Sequence, residues 1–180
     1  MNQRIPELLA PAGSLSKLKV AIDYGADAVY LGGKEFSLRA RAATFDTANL
    51  RRAIAHAHEH RARAYVTHNI FAHNRDLDGL GPYLLQLREA GADGLIIADP
   101  GALDIAAEVV PELPLHVSTQ ANVTNSANAR FWERQVLRRL NLARELGLEE
   151  IRAIRAATNI ELEVFVHGAL CISYSGRCML

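Results

Sequence analysis

The two cysteines near the end of the sequence could bind a metal or a cluster, and their spacing limits which kind of site they can form. Cys171 and Cys178 are the only cysteines among the 180 residues and lie seven positions apart in CISYSGRC. Thiolates are soft ligands suited to zinc or to an iron–sulfur cluster, and either site usually needs four of them. The spacing is not Cys-x-x-Cys, so a zinc ribbon or a redox dithiol has little support. Spacing alone also leaves two unrelated buried thiols as an alternative.

A thiol nucleophile is a second chemistry to consider, because His167 lies four residues before Cys171 and could act as its base. Such a pair also needs an orienting group and an oxyanion donor. The motifs of other hydrolases, GxSxG, HExxH and SxxK, do not occur. A peptidase would therefore have to use another arrangement.

The remaining histidines do not predict a metal site. On a helix His56 and His60 share one side while His58 points nearly opposite, so the three cannot converge on one ion, and a solvated helix flank is favoured. His68 and His73 bracket the end of a predicted strand. Without a carboxylate at ligand spacing, they are expected to be structural or to orient a substrate.

Composition is that of an ordinary globular domain, with 49% hydrophobic and 22% charged residues. Lys plus Arg and Asp plus Glu are both 20, so no global field favours nucleic acid or an anionic membrane. No run of apolar residues is long enough for a signal sequence or a membrane span. A cytoplasmic protein with reduced thiols is expected, with no membrane partner.

The elements that must position the cysteines follow a repeated order of helix and then strand. GADAVYLGG and GADGLIIADPG echo each other, each with a glycine after a helical pattern and a compact apolar run. Seven strands are predicted, at 7–13, 28–33, 64–70, 94–99, 115–120, 139–145 and 161–168. Amphipathic helices lie between them, with Ser14 and either Asp46 or Thr47 as N-caps of the first two.

This alternation predicts an α/β fold with parallel strands, either a (β/α) TIM-type barrel or a doubly wound sheet. No GxGxxG follows a strand, which weighs against the dinucleotide-binding sheet. Polar residues cluster at the carboxyl ends of the predicted strands, where a barrel has its site. They are Asn69, Asp99, Gln120, Arg144, Glu145 and His167.

Four of these residues are the candidates for catalysis: Asn69, Gln120, Arg144 and His167. Arg144 could hold a substrate carboxylate in a bidentate clamp, whereas most other arginines keep helix faces soluble. A complete barrel usually takes about 250 residues, so 1–180 is expected to be the N-terminal part of a barrel domain, truncated before the eighth strand. A homodimer across the resulting gap is one way to cover the open edges.

Several motifs together resemble the peptidase U32 family, also described as collagenase-like proteases. They are ELLAPAGSLSKLKVAIDYGADAVYLGG, SLRAR, YVTHNIFAHN, DPG, HVSTQANVTN, LARELGLEEI and EVFVHGALCISYSGRC. The likeness covers nearly the whole chain in order, and the cysteine motif is its most specific part. Within the family, the chain is most similar to the branch of bacterial tRNA 5-hydroxyuridine synthases.

The resemblance implies a barrel that carries a four-iron four-sulfur cluster, with Cys171 and Cys178 as two of its four ligands. It implies hydroxylation of the tRNA wobble uridine with prephenate as the small-molecule co-substrate, hence tRNA as partner. Sister branches hydroxylate a ribosomal RNA cytidine or the ubiquinone ring. The family's name implies a collagenase-like peptidase as the alternative, and a scaffold that only binds RNA or an enzyme is the non-enzymatic possibility.

Overall fold

A computed structural model describes residues 5–34, 45–135, 137–168 and 172–177 of the chain. Within these residues strands and helices alternate, as the repeated unit predicts. The strands are β1 (Leu9–Pro11), β2 (Ala28–Gly32), β3 (Arg63–His68), β4 (Gly94–Ile97), β5 (Leu115–Val117), β6 (Arg139–Asn141) and β7 (Glu161–Glu163). Each coincides with a predicted strand and ends before the predicted segment does.

Several helices begin where a side chain accepts a hydrogen bond from a backbone N–H of the first turn. The helices are α1 (Leu15–Asp23), α2 (Thr47–Glu59), α3 (Asn74–Leu77), α4 (Leu80–Glu89), α5 (Pro100–Val109), α6 (Ser126–Glu133) and α7 (Leu148–Ala157). Ser14 caps α1 by accepting from the Lys17 N–H, and Asp46 caps α2 by accepting from the Asn49 N–H at 2.8 Å. None of the described helices is long and apolar enough to cross a lipid bilayer.

All seven strands are parallel and lie side by side in chain order, from β1 to β7. A doubly wound sheet would reverse its strand order at a switch point, and this one does not. Sequential parallel order with a helix after each strand is the pattern of a (β/α) barrel. The barrel prediction, with seven strands, is therefore confirmed for the described residues.

One face of the sheet packs against the helices and forms the apolar core. Its strand residues include Leu31, Val66 and Leu95, which pack in one buried cluster with helix residues such as Leu18 and Ile54. The residues that alternate with them point to the other face, because successive side chains of a strand project to opposite sides. That second face carries a small apolar cluster and many charged groups.

The second face is concave, as a contact between distant parts of the sheet shows. Glu7 lies just before β1, and its Oε1 is 2.9 Å from Nη1 of Arg139 on β6. In a flat sheet five strand spacings of about 4.8 Å would separate these strands by about 24 Å, beyond the reach of the two side chains. The sheet must curl around this face into a partial barrel.

Arg139 is the centre of a charged network on the concave face. Its Nη1 is also 3.4 Å from Glu163 Oε2 on β7, and its Nη2 is 3.2 Å from Glu161 Oε2. Its guanidinium lies 5.3 Å from the centre of the Tyr65 ring, whose hydroxyl donates to Glu7 at 3.1 Å. The Arg139 side chain is only 10% exposed, so these groups supply most of its polar contacts.

Burial and charge act in opposite directions on the ionisable groups of this face. Burial is the largest single influence on the pKa of Arg139 and would lower it, but Glu7, Tyr65 and Glu163 together outweigh burial, so the pKa is raised. Burial raises the pKa of Glu163 despite the neighbouring Arg139. Burial, together with the charges of Arg139, Arg138 and Arg63, lowers the pKa of His116 on β5 to about 3, so this imidazole is neutral in the folded chain.

Replacement of Arg139 tests the network. Arg139→Met leaves the half-buried Glu163 without its cation and Glu7 with Arg63 alone, and we expect the free energy of unfolding to fall by about 3–5 kcal/mol. The neighbouring Arg138 is 63% exposed in its ion pair with Glu161, so Arg138→Met should cost about 0–1 kcal/mol. Urea denaturation of the two variants measures both values, and equal losses would contradict a special role for Arg139.

His116 generates a second prediction, on pH. Its pKa is about 3 when folded and about 6.5 when unfolded, so below pH 6.5 the unfolded chain binds a proton that the folded chain does not. Stability should therefore fall as pH drops from about 6.5 towards 3. His116→Gln should lessen this loss by about 1 kcal/mol per pH unit in urea titrations at a series of pH values. His60→Gln, at an exposed histidine, is the control and should keep the wild-type slope.

Candidate functional site at the carboxyl edge of the sheet

The parallel order brings the ends of all the strands to one edge, and the four candidate catalytic residues lie there. Asn69 directly follows β3 and is half-buried, and Gln120 lies in a short 3-10 helix, Thr119–Ala121, after β5. Arg144 comes three residues after the end of β6. His167 comes four residues after β7 and is exposed, because β7 ends at Glu163 rather than at 168 as predicted.

The segment between the two cysteines is anchored on the residues that follow β6. Ser175 is fully buried, and its Oγ accepts from both the backbone N–H and the Nε of Arg144, each at 3.2 Å. The Ser175 N–H donates to Glu145 Oε1 at 2.7 Å. Partial burial would raise the pKa of Glu145, but this hydrogen bond helps to lower it. Arg144 and Glu145 thus hold the middle of the segment from both sides.

The same segment also approaches the chain after β5 closely. A Cβ on Gly176 would lie 2.3 Å from the backbone oxygen of Gln120 and 3.2 Å from Cβ of Asn122. Gly176 also has a φ of +72°, which side chains other than glycine rarely adopt. Only glycine fits here, so the segment contacts the ends of both β5 and β6.

These contacts involve two residues that the sequence predicts as catalytic. Arg144 donates a hydrogen bond from its Nε to Ser175 and so helps to position the segment between the cysteines. The Gln120 backbone lies against Gly176, while its side-chain Oε1 is buried and has no hydrogen-bond partner within the described part of the chain. On the neighbouring β6, Asn141 Oδ1 is in the same condition. A catalytic role for Asn69, Gln120, Arg144 and His167 stays a prediction.

Three other polar residues lie at this edge. Asp99 caps α5 by accepting from the Ala102 N–H at 2.9 Å. His68, at the end of β3, is buried, and burial lowers its pKa, so it is neutral. His73 is exposed and precedes α3, where its backbone N–H donates to Asp76 Oδ2 at 2.9 Å.

The histidines of α2 lie at the opposite end of the barrel, since α2 runs into the amino end of β3. His58 binds Asp93, with 2.8 Å between Nε2 and Oδ2, and does not face its neighbours, as predicted. His56, Glu59 and His60 do converge, each with one ligand-type atom within 4.8 Å of the others. Glu59, rather than His58, is thus the third ligand-type side chain beside His56 and His60. The three side chains lie on a solvated flank of the helix.

Cys171 and Cys178, like the SLRAR motif at 37–41, lie outside the described residues. What the structure shows is that the segment between the two cysteines is fixed at the carboxyl edge. Two thiols at its ends fit an iron–sulfur cluster in kind, because thiolates are the ligands such clusters use, and they supply two of the four needed.

The loop after β3 contains a feature that the sequence analysis misses. A cavity of about 540 Å³ is lined by Ala72, His73, Asn74 and Arg75. The ring of Phe71 packs edge-on against His73, with 5.4 Å between ring centres, and is otherwise exposed. An aromatic residue in a polar loop directly after a barrel strand is the sequence signal that could have found it.

The strand order and the helices between the strands define a (β/α)-barrel protein, with its candidate site at the carboxyl edge. The chain belongs to Peptidase family U32, whose family model matches residues 13–180. The resemblance seen in the motifs is therefore confirmed.

Similar proteins include RNA-modifying ones. The chain is 47% identical over 175 residues to the tRNA hydroxylation protein P1 of Bacillus subtilis. This match covers 97% of this chain and 42% of that protein. It is 39% identical over 176 residues to the 23S rRNA 5-hydroxycytidine C2501 synthase of Escherichia coli, covering 97% of this chain and 26% of that protein. The chain thus spans less than half the length of these curated relatives.

Among solved structures, the U32 peptidase Mk0906 superposes with a TM-score of 0.76 at 18% identity. The match covers 91% of this chain and 70% of that one. At this identity the likeness supports the barrel fold alone.

Glu145→Ala tests the anchoring of the cysteine segment. Loss of the carboxylate removes the acceptor of the Ser175 N–H, and hydrogen bonds to charged groups contribute about 1.5–3 kcal/mol. We expect the Ser175 amide to exchange its hydrogen about tenfold faster or more, measured by mass spectrometry on peptides covering 172–177. Glu149→Ala, on the exposed start of α7, is the control. Unchanged exchange in Glu145→Ala would show that the contact does not hold the segment.

Proposed function

We propose that the protein containing this chain hydroxylates a base of RNA, with a tRNA uridine as the substrate. Support comes from the relatives, at 39–47% identity, that are named for hydroxylation of tRNA or of a ribosomal RNA cytidine. Both names describe hydroxylation of an RNA, and the second names a pyrimidine, cytidine, as the modified nucleoside. A tRNA substrate agrees with the cytoplasmic location expected from the sequence.

The observation that carries the proposal is the anchoring of the cysteine segment at the carboxyl edge. Barrel enzymes have their reaction site on this face. Ser175 and Gly176 fix the segment against the ends of β5 and β6, which supports a position on this face for a group that the flanking cysteines bind.

We further propose that Cys171 and Cys178 hold part of a four-iron four-sulfur cluster, which supplies one-electron chemistry when bound. Hydroxylation replaces a C–H by C–OH, so the base gains one oxygen atom and loses two electrons. An oxygen donor must accept these electrons, and we assign that role to a small organic co-substrate, prephenate by the family resemblance.

The residues of this chain then have distinct tasks. Arg144 and Glu145 position the cysteine segment through Ser175. The amides of Asn69 and Gln120 can donate to and accept from the polar edge of a pyrimidine, which offers both kinds of partner. The alternative is a peptidase, and the family's name favours it. Among the described residues, no contact supports a peptidase.

Removal of either thiol tests the proposal. Cys171→Ser and Cys178→Ser should each abolish the brown cluster absorbance of the anaerobically purified gene product and the hydroxylated uridine in cellular tRNA. Ser173→Ala, which lies between the cysteines, is the matched control and should preserve both. Undiminished hydroxyuridine in the cysteine variants, measured by nucleoside mass spectrometry, would refute the cluster's role.

A further inference from the structure

The loop after β3 presents an aromatic ring to solvent at the carboxyl edge. Phe71 is 81% exposed, although residues 64–68 of the preceding strand β3 are buried. Its one described ring contact is the edge-to-face packing on His73, at an interplanar angle of 70°. The ring therefore packs on His73 through an edge contact while one face remains accessible.

The cavity next to the ring is open to solvent. Its volume is about 540 Å³, which leaves room for a nucleotide lying on the surface. His73 links ring and cavity, because it packs on Phe71 and lines the cavity. The backbone here is fixed by the bond from the His73 N–H to Asp76.

The polar groups of the cavity match a nucleotide. Asn74 offers an amide that can both donate and accept, as the edge of a pyrimidine requires. The Arg75 side chain is 84% exposed, with its Nε 3.7 Å from Asp76 Oδ1. That weak pair leaves the guanidinium directed to solvent, where it can contact a phosphate.

Ring, amide and guanidinium within five consecutive residues are the groups with which proteins bind unstacked bases of single-stranded RNA. We propose that residues 71–75 bind a pyrimidine nucleotide of the RNA substrate, with the base stacked on Phe71, its edge on Asn74 and its phosphate at Arg75. This inference rests on the proposed function. It adds the site that receives the RNA, on the same edge as the cysteine segment.

Phe71→Ala tests the site in the complete, cluster-loaded protein. Stacking contributes about 1–3 kcal/mol per base, so binding of the anticodon stem–loop should weaken by about tenfold in fluorescence anisotropy. The KM for the RNA should rise by a similar factor with kcat within about twofold. Phe71→Tyr should restore both values because it keeps the ring. Tyr24 is 86% exposed and lies at the end of α1, at the opposite end of the barrel. Tyr24→Ala should therefore bind the stem–loop with wild-type affinity.

Unchanged affinity in Phe71→Ala, or an equal loss in Tyr24→Ala, would overturn the site while hydroxylation by the wild type still supported the function. Conversely, a stem–loop that binds through Phe71 but is never hydroxylated would keep the site and refute the proposed reaction. Cluster absorbance should be the same in all these variants, which separates RNA binding from loss of the cluster. A wild-type protein that does not bind the stem–loop would refute the site directly.

Discussion

One buried cation holds the curled sheet together. Arg139 on β6 contacts Glu7, which precedes β1, and Glu163 on β7, so three positions around the concave face share a single guanidinium. A buried charge without partners is costly, and these partners can be supplied only if the sheet curls. Most barrels fill this layer with branched aliphatic side chains. Here the apolar part of the layer is small, and the Arg139 network lies beside it on the concave face.

The curvature in turn makes the carboxyl edge a site. When a parallel sheet curls, the ends of β3, β5 and β6 approach a common opening. The charged network lies towards the amino half of the strands. The segment between the cysteines and the loop at 71–75 lie at the carboxyl edge. The segment's anchors come from two strands at once, since Ser175 binds the residues after β6 and Gly176 touches those after β5.

The order and type of the elements could be predicted because the repeated helix-then-strand unit is a local signal. Strand ends could not. The apolar run at 164–166 continues the pattern of β7, yet Val164, Phe165 and Val166 are exposed and β7 stops at Glu163. The Arg139 network was invisible for another reason, since Glu7 and Arg139 are 132 residues apart and a glutamate near the start of a chain carries no sign of its partner.

The site shows the same limit at the level of single residues. Arg144 stands at a strand end, where an arginine suggests a substrate clamp, and sequence position alone does not distinguish that from a residue that holds another loop. The contact that the sequence does not reveal is with Ser175, a serine between two cysteines with no motif of its own. Because Arg144 donates through its backbone N–H as well as through Nε, the contact needs both the side chain and the path of the chain after β6. The fold therefore determines where the cysteine segment lies, and the arginine determines how firmly it is held there.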